Sequence, residues 1–572
     1  MIRLSKLFKR PSSLLKHLLR RTYSVESLER RVLLAATPLT TDIVYTLGNL
    51  SLADTQYQVS TPAADASHTT DITSTTGSIT IGPTLPLAPG TLDGDTDTVK
   101  DILTLTAAST GDVLIYDNVG LTKPLDGLTV VQARNVTFFQ TLNVAGDVTI
   151  QATGDVRFLG AVNISAGGNL TVTGARSVVF DQYAVVNLTG TTVSNGAGDL
   201  LLQGDEIDLP VYQTIYAVSG ATAVFKPTSA AWAINLASPS TGATSSSALD
   251  LTTRELATLS SNFSTLTVGD ASNRGDVYVG GNAGGLSTFT QAATVYARNF
   301  TVVDEPAIAS NYLATDFDLT VNASQTMSFT GRVALASSRT LTLTTSSNID
   351  QTSTATPGES IAAQNIVATA VTGINMPWLD VTNLTVTNTG SSGNINLGVV
   401  NLATKGVNIL GVNQTGAANT AGTISVSSTL ADITVKSAGT GIVGKNNITV
   451  SSGKGLTLES AGSALLYSVT GNITLSSVGN MSVGLVGTTS TNDAIYSAGN
   501  LSLTSSAGTL TLSDSILSTG AGNTITLSSQ GAMSTFGLSA NGNIALTSSA
   551  GTITLGDSVV STAGGISVNA SG

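Results

Sequence analysis

Along most of this chain apolar residues alternate with Ser, Thr or Asn in runs too short to form a helix face. Leu501 and Leu503 alternate with polar partners, Leu510 and Leu512 do the same, and Ile516 and Leu517 follow. Period-two alternation predicts strands that bury one face and turn Ser and Thr outward. Ser-Ser-Ala-Gly and Ser-Asp-Ser lie between these runs, and the unit opens with Gly499-Asn500, residue types that tolerate the positive φ of a tight corner. The pattern then returns: Gly499–Thr519 and Gly542–Thr562 are identical at 15 of 21 positions, and the six changes keep apolar positions apolar. These copies start 43 residues apart, with a weaker copy from Gly522-Asn523 between them, so the unit is 21 or 22 residues. That period signals a solenoid.

The fold expected is therefore all-β: a single-stranded right-handed parallel β-helix of about 20 coils with three short strands per coil, and a rod about 100 Å long at the ~4.8 Å spacing of paired strands. A lone coil of some six aliphatic side chains cannot offset the entropy of ordering about 20 residues, so each coil depends on its neighbours. The same grammar continues upstream in GNLTVTG from Gly168, GNINLG from Gly393 and GNITLSS from Gly471. Residues 37–100 are interrupted by Pro62, Pro83, Pro86 and Pro89 and are expected to form an irregular lead-in or cap. Residues 101–330 carry most of the aromatics and predict a wider coil with loops, one of them at Ser238–Ser247, whereas 331–572 predicts regular repeats that stop in mid-pattern, as in a truncated chain. One short helix is expected near 252–260, with Thr252 as N-cap, Glu255 completing a capping box and Leu251 stapled to Leu256, covering the coil at Leu266 and Val268.

Charge separates the first 36 residues from the rest. They hold nine Lys/Arg against two Glu, a net of +7, while the remainder holds 15 basic and 34 acidic residues, a net of −19. A basic lead on an acidic body reads as a targeting segment, and the acidic body disfavours nucleic acid as a partner. No run of 18 apolar residues occurs, so no transmembrane helix is expected. The chain has no Cys, which leaves the fold without disulfides or thiolate metal sites.

Two stretches resemble known families. Leu28, Glu29, Arg30, Arg31, Val32, Leu33 and Leu34 resemble the LEPR-XLL segment at the start of large repetitive bacterial proteins, with Arg30 where that family has Pro. The resemblance implies secretion machinery that recognises this segment and a destination outside the cell or on the envelope surface. Leu249–Gly269, which pairs the helix signal with a TLTVG strand, is similar to segments of filamentous-haemagglutinin-like adhesins. That likeness implies a non-catalytic structural or adhesin-like rod that presents polar faces to a partner such as a glycan or a neighbouring cell.

Candidate chemistry is sparse. Histidine occurs only at His17 and His68, which removes a Ser-His-Asp triad and a His-rich metal site from the body, and no catalytic, cofactor or metal residue is assigned. The carboxylates Asp205, Glu206 and Asp208, Asp304 with Glu305, and Asp316 with Asp318 read as solvated turns, because no basic residue stands beside them at coil spacing. The alternative reading is a polysaccharide lyase or glycosidase on a parallel β-helix. Such an enzyme sets two or three carboxylates and a Lys or Arg on one face of adjacent coils. Asp93, Asp95 and Asp97 offer hard oxygen ligands, but the EF-hand positions six and twelve hold Thr98 and Thr104, so calcium stays open beside a plain hydrated loop.

Overall fold

The computed structural model describes residues 37–571 except 40–41, 47, 54–55, 60–68, 84–88, 96–99, 166, 190–197, 230–231, 238–247, 273–274, 281–287, 304–311, 353–359, 401–404, 417–420, 437, 460–464 and 485–492. The leader with Leu28–Leu34, the Ser238–Ser247 loop, Asp97, Asp304 and Glu305 lie outside the described residues.

The chain winds as a parallel β-helix whose strands stack into three ladders. In a regular coil Leu501–Ser505 belongs to the first ladder, Leu510–Leu512 to the second and Ile516–Ser518 to the third, and each pairs in parallel with its counterpart one coil on. Twenty successive pairings carry the third ladder from Ile43–Tyr45 to Val559–Ser561, which makes 21 rungs and about 100 Å at ~4.8 Å per rung. Within residues 37–100, expected to be an irregular lead-in, Thr69–Ser74 and Ile79–Ile81 are rungs of the third and first ladders, while Thr37–Leu39 opens a separate eight-stranded parallel sheet. Short strands with long connections hide this from pattern alone.

Aliphatic side chains fill the interior in files. Val450, Leu475 and Leu503 lie in register on successive first-ladder rungs and are fully buried. Between residues 138 and 180 phenylalanines take their place: Phe138, Phe158 and Phe180 stack at ring separations of 5.3 and 4.8 Å. Serine does not stay outside, as strict alternation suggested. A buried Ser closes many strands, and it donates to corner carbonyls of its own coil and of the coil before: Ser497 Oγ donates to Gly471 O and Gly499 O at 3.0 and 3.1 Å, and Ser548 Oγ to Gly531 O at 2.9 Å. An inward hydroxyl at a corner is satisfied there, so it is not an unpaired buried group. Leu517 and Val560, though apolar, are the outward members of Ile516–Ser518 and Val559–Ser561.

The Gly-Asn pairs also act differently from the expectation. Gly471, Gly499 and Gly542 do not have positive φ. A Cβ on Gly499 would lie 2.6 Å from Gly471 O, and one on Gly542 would lie 2.4 Å from Gly522 O, so the coils approach too closely there for any side chain. The Asn carbonyl oxygens form a ladder of their own: Asn500 N donates to Asn472 Oδ1 at 2.7 Å, and Thr524 N donates to Asn500 Oδ1 at 2.9 Å. Asn500→Ala is expected to lower unfolding stability by about 1 kcal/mol, because Thr524 loses one hydrogen-bond acceptor at a solvated corner. Asn500→Asp keeps the acceptor and is expected to stay near wild type in the same denaturant titration.

One coil departs from the plan and shapes the site described next. After the first-ladder strand Ala233–Leu236, the chain returns to lay a second parallel strand, Ala248–Leu251, beneath it, in register from Ala233↔Ala248 to Leu236↔Leu251. The first ladder thus gains a rung that the third lacks. A one-turn helix, Thr253–Leu256, follows with the expected capping box: Glu255 N donates to Thr252 Oγ1, and Thr252 N donates to Glu255 Oε2. Glu255 Oε1 also accepts from Leu209 N at 3.3 Å, which ties the helix to the coil below.

Candidate functional site: a carboxylate and arginine cleft on the first ladder

The strands around the extra rung carry an unusual outward face. Asp155–Phe158, the second half of Leu170–Phe180 and the second half of Leu200–Asp208 pair so that Val156, Val178 and Ile207 point inward, and two outward columns result. One column is Asp155, Ser177, Glu206; the other is Arg157, Val179, Asp208. Ala248–Leu251 packs against Leu200–Asp208 and adds Asp250. Together with Arg176, Asp205, Trp232 and Ala248 these residues line a cleft of about 530 Å³.

Electrostatics divide the carboxylates. Asp155 Oδ1 accepts from Arg176 Nε and Nη2 at 2.9 and 2.6 Å, and Asp155 Oδ2 accepts from Arg157 Nη2 at 3.3 Å. Burial pushes the Asp155 carboxyl up, but the hydrogen bonds and charge of Arg176, then of Arg157, outweigh it and hold the group below its ordinary range. Glu206 is shifted the other way, by burial first and then by the neighbouring carboxylates of Asp208, Asp155 and Asp250, against the pull of Arg176. Burial likewise raises Asp208, opposed by Arg157. Neither Glu206 nor Asp208 has a hydrogen-bond partner among the described residues, whereas Asp205 is committed to the loop at Thr228 and Ser229, accepting both backbone N–H groups at 2.9 and 2.8 Å.

The Asp155–Arg176 pair has two structural counterparts, which show what in this cleft is ordinary. Asp112 accepts from Arg134 Nε and Nη2 and from Asn135 Nδ2, and Asp276 accepts from Arg298 and Asn299 in the same way. Each is a Gly-Asp-Val corner clamped by an Ala-Arg-Asn corner one coil later. At Asp155 the third copy reads Ala175-Arg176-Ser177, so Ser stands in place of the Asn that completes the other two clamps. The clamp explains why Arg176 is present; it does not explain Arg157, Glu206, Asp208 or the opening between them.

This arrangement corrects the reading of Glu206 and Asp208 as isolated turn residues. Arg157 stands in register two rungs below Asp208, and Arg176 is adjacent to the residue in register with Glu206. No constant spacing aligns these positions, because Asp155 and Ser177 are 22 residues apart while Ser177 and Glu206 are 29 apart. The recurring GDV and ARN or ARS triplets were the signal that could have aligned these coils.

One corner beyond the cleft strands, Tyr183 and Tyr212 stack at 5.1 Å, and the Arg254 guanidinium lies 4.6 Å from the Tyr212 ring centre. Tyr183 is 60% and Tyr212 50% exposed, so both present ring surface to solvent. Farther along the first ladder, Asn396 Nδ2 donates to Asn375 Oδ1 and Asn375 Nδ2 to Asp350 Oδ1, forming the floor of a second, polar groove of about 540 Å³.

Other candidates are accounted for locally. Asp318 accepts Thr340 N at an exposed corner. Asp95 and Asp101 face Lys123 at 3.9 and 3.3 Å, which places a cation from the chain itself where calcium was considered, and Asp93 accepts Thr122 N. Among the described residues no group of three acidic or histidine side chains could hold a metal ion, and no helix is long and apolar enough to cross a membrane. No protein-family model, curated protein or solved structure matches this chain.

Proposed function

We propose that this protein is a surface-displayed β-helical rod that binds a glycan along its first-ladder face. The observation that carries the reading is the cleft at Glu206 and Asp208 with the exposed Tyr183–Tyr212 stack beside it. Polar groups that converge in a concavity orient sugar hydroxyls, and exposed aromatic rings offer the apolar face of a pyranose a flat platform. The Asp350–Asn375–Asn396 amide ladder supports the same reading, since it repeats hydroxyl-matching donors and acceptors at rung spacing. Display at the surface is supported by the resemblance of Leu28–Leu34 to a sorting segment.

The full chain is expected to be retarded in native gels cast with neutral polysaccharides such as mixed-linkage β-glucan or xylan. The double substitution Tyr183→Ala with Tyr212→Ala is expected to weaken retardation at least about fivefold, on the scale of one to two aromatic contacts. Passage of the wild-type chain through every such gel at its rate in plain acrylamide overturns the reading.

A further inference from the structure

We propose that the cleft does more than bind: it hydrolyses a glycosidic bond of the bound glycan, with Glu206 as proton donor and Asp155 as the base that activates water. The inference rests on the glycan-binding reading and extends it. Its geometric basis is the column Asp155, Ser177, Glu206, in which two carboxylates face one concavity two rungs apart with a small side chain between them. Two rungs separate the backbones by about 9.6 Å. That backbone spacing stands at the upper end of the roughly 6.5 to 9.5 Å between carboxyl groups that leaves room for the attacking water in inverting hydrolysis.

The environments of the two groups suit their roles. Arg176 and Arg157 keep Asp155 ionised, while burial and the surrounding carboxylates favour the protonated form of Glu206. Two carboxyl groups in one cleft, pushed in opposite directions, are the pattern of an acid and a base. Ser177 is the departure that opens the site, for in the two ordinary clamps an Asn amide fills this place against the aspartate.

The step balances without a cofactor. The Glu206 carboxyl proton passes to the glycosidic oxygen as the bond to the anomeric carbon breaks, and that electron pair leaves with the oxygen. Water attacks the opposite face of the anomeric carbon and gives its proton to the Asp155 carboxylate. The products are a hemiacetal of inverted configuration and the free alcohol of the departing chain, and solvent returns the proton from Asp155 to Glu206. With Glu206 protonated, four carboxylates against two arginines leave the cleft net negative at −2, so the substrate is a neutral glycan and a polyuronate is repelled. The same charge argues against a lyase, which must neutralise a uronate carboxylate.

The test incubates the full chain with mixed-linkage β-glucan, xylan and polygalacturonate and reads new reducing ends, with proton NMR of the first-formed anomer. New ends of inverted configuration are expected from a neutral polymer and none from polygalacturonate. Glu206→Gln and Asp155→Asn are each expected to lower the rate at least about 100-fold, the scale of general acid or base catalysis. Ser177→Asn, which restores the residue of the ordinary clamp, is expected to lower the rate as well. Retardation by a neutral polymer without release of reducing ends, or an unchanged rate in Glu206→Gln, overturns the catalytic inference and leaves binding intact. Absence of any retardation overturns both.

Discussion

Leu475→Asp is expected to split the rod into two independently melting arms. Leu475 is fully buried and lies in register between Val450 and Leu503 in the aliphatic file. A carboxylate there meets only apolar neighbours, and an isolated buried charge without a partner costs several kcal/mol even after relaxation. In a solenoid each coil is held mainly by the two it touches, so a loss of this size at one coil removes the coupling across it. Limited proteolysis is expected to cut near residues 471–479, while the coils before residue 350 keep their protection from hydrogen exchange. Leu475→Ile preserves volume and polarity and is expected to shift stability by less than about 1.5 kcal/mol. A single cooperative transition in Leu475→Asp, with the protease pattern of wild type, would contradict the nearest-neighbour account.

The second large effect is expected at Glu255. Its side chain is 7% exposed, and its carboxylate accepts from Thr252 N, Thr252 Oγ1 and Leu209 N. Glu255→Ala removes the capping box and leaves Leu209 N–H without its acceptor, a loss of roughly 2 to 3 kcal/mol when a cap and a buried hydrogen bond go together. Because this residue ties the inserted strand to the coil below, the Ala248–Leu251 rung loosens and the cleft opens. The pH dependence has a definite sign. Burial raises the Glu255 carboxyl above its ordinary value of 4.5, against the hydrogen bonds from Thr252 and Leu209, so the folded chain holds this proton more tightly than the unfolded chain. Its contribution is full below 4.5 and is lost as the pH rises through the raised value. Glu255→Gln removes the titration, so denaturant midpoints measured between pH 4 and 7 are expected to fall less steeply in that variant than in wild type. An equal slope in both would place the dependence elsewhere.

Asp112 and Asp276 carry the opposite sign. The hydrogen bonds of Arg134 and Arg298 hold their carboxyls below the ordinary 3.8, so the stability they contribute is present above that value and is lost under stronger acid. The exposed arginines make each such pair individually small.

Period-two alternation and a repeat of 21 or 22 residues were enough to read a parallel β-helix, since only stacked short strands bury every second residue at that interval. The short helix was equally legible, because the capping signals of Thr252 and Glu255 act within four residues. Local patterns could not say which small polar residues turn inward. Ser497 and Ser518 are buried only because corner carbonyls of the preceding coil wait for their hydroxyls. Nor could they tell that Gly499 is there for close approach between coils, since its φ is unremarkable and the obstruction comes from Gly471.

The cleft belonged to tertiary structure for the same reason. Asp155, Ser177 and Glu206 share a column only after loops of unequal length have been absorbed and a strand from 248 to 251 has been inserted beside them. Residue order alone determined the short strands, their period and the capping box of the one short helix, because these depend on contacts within one turn of chain. Register between turns decided which carboxylates and arginines face one another, because hydrogen bonding aligns rungs by backbone position and ignores the length of chain between them.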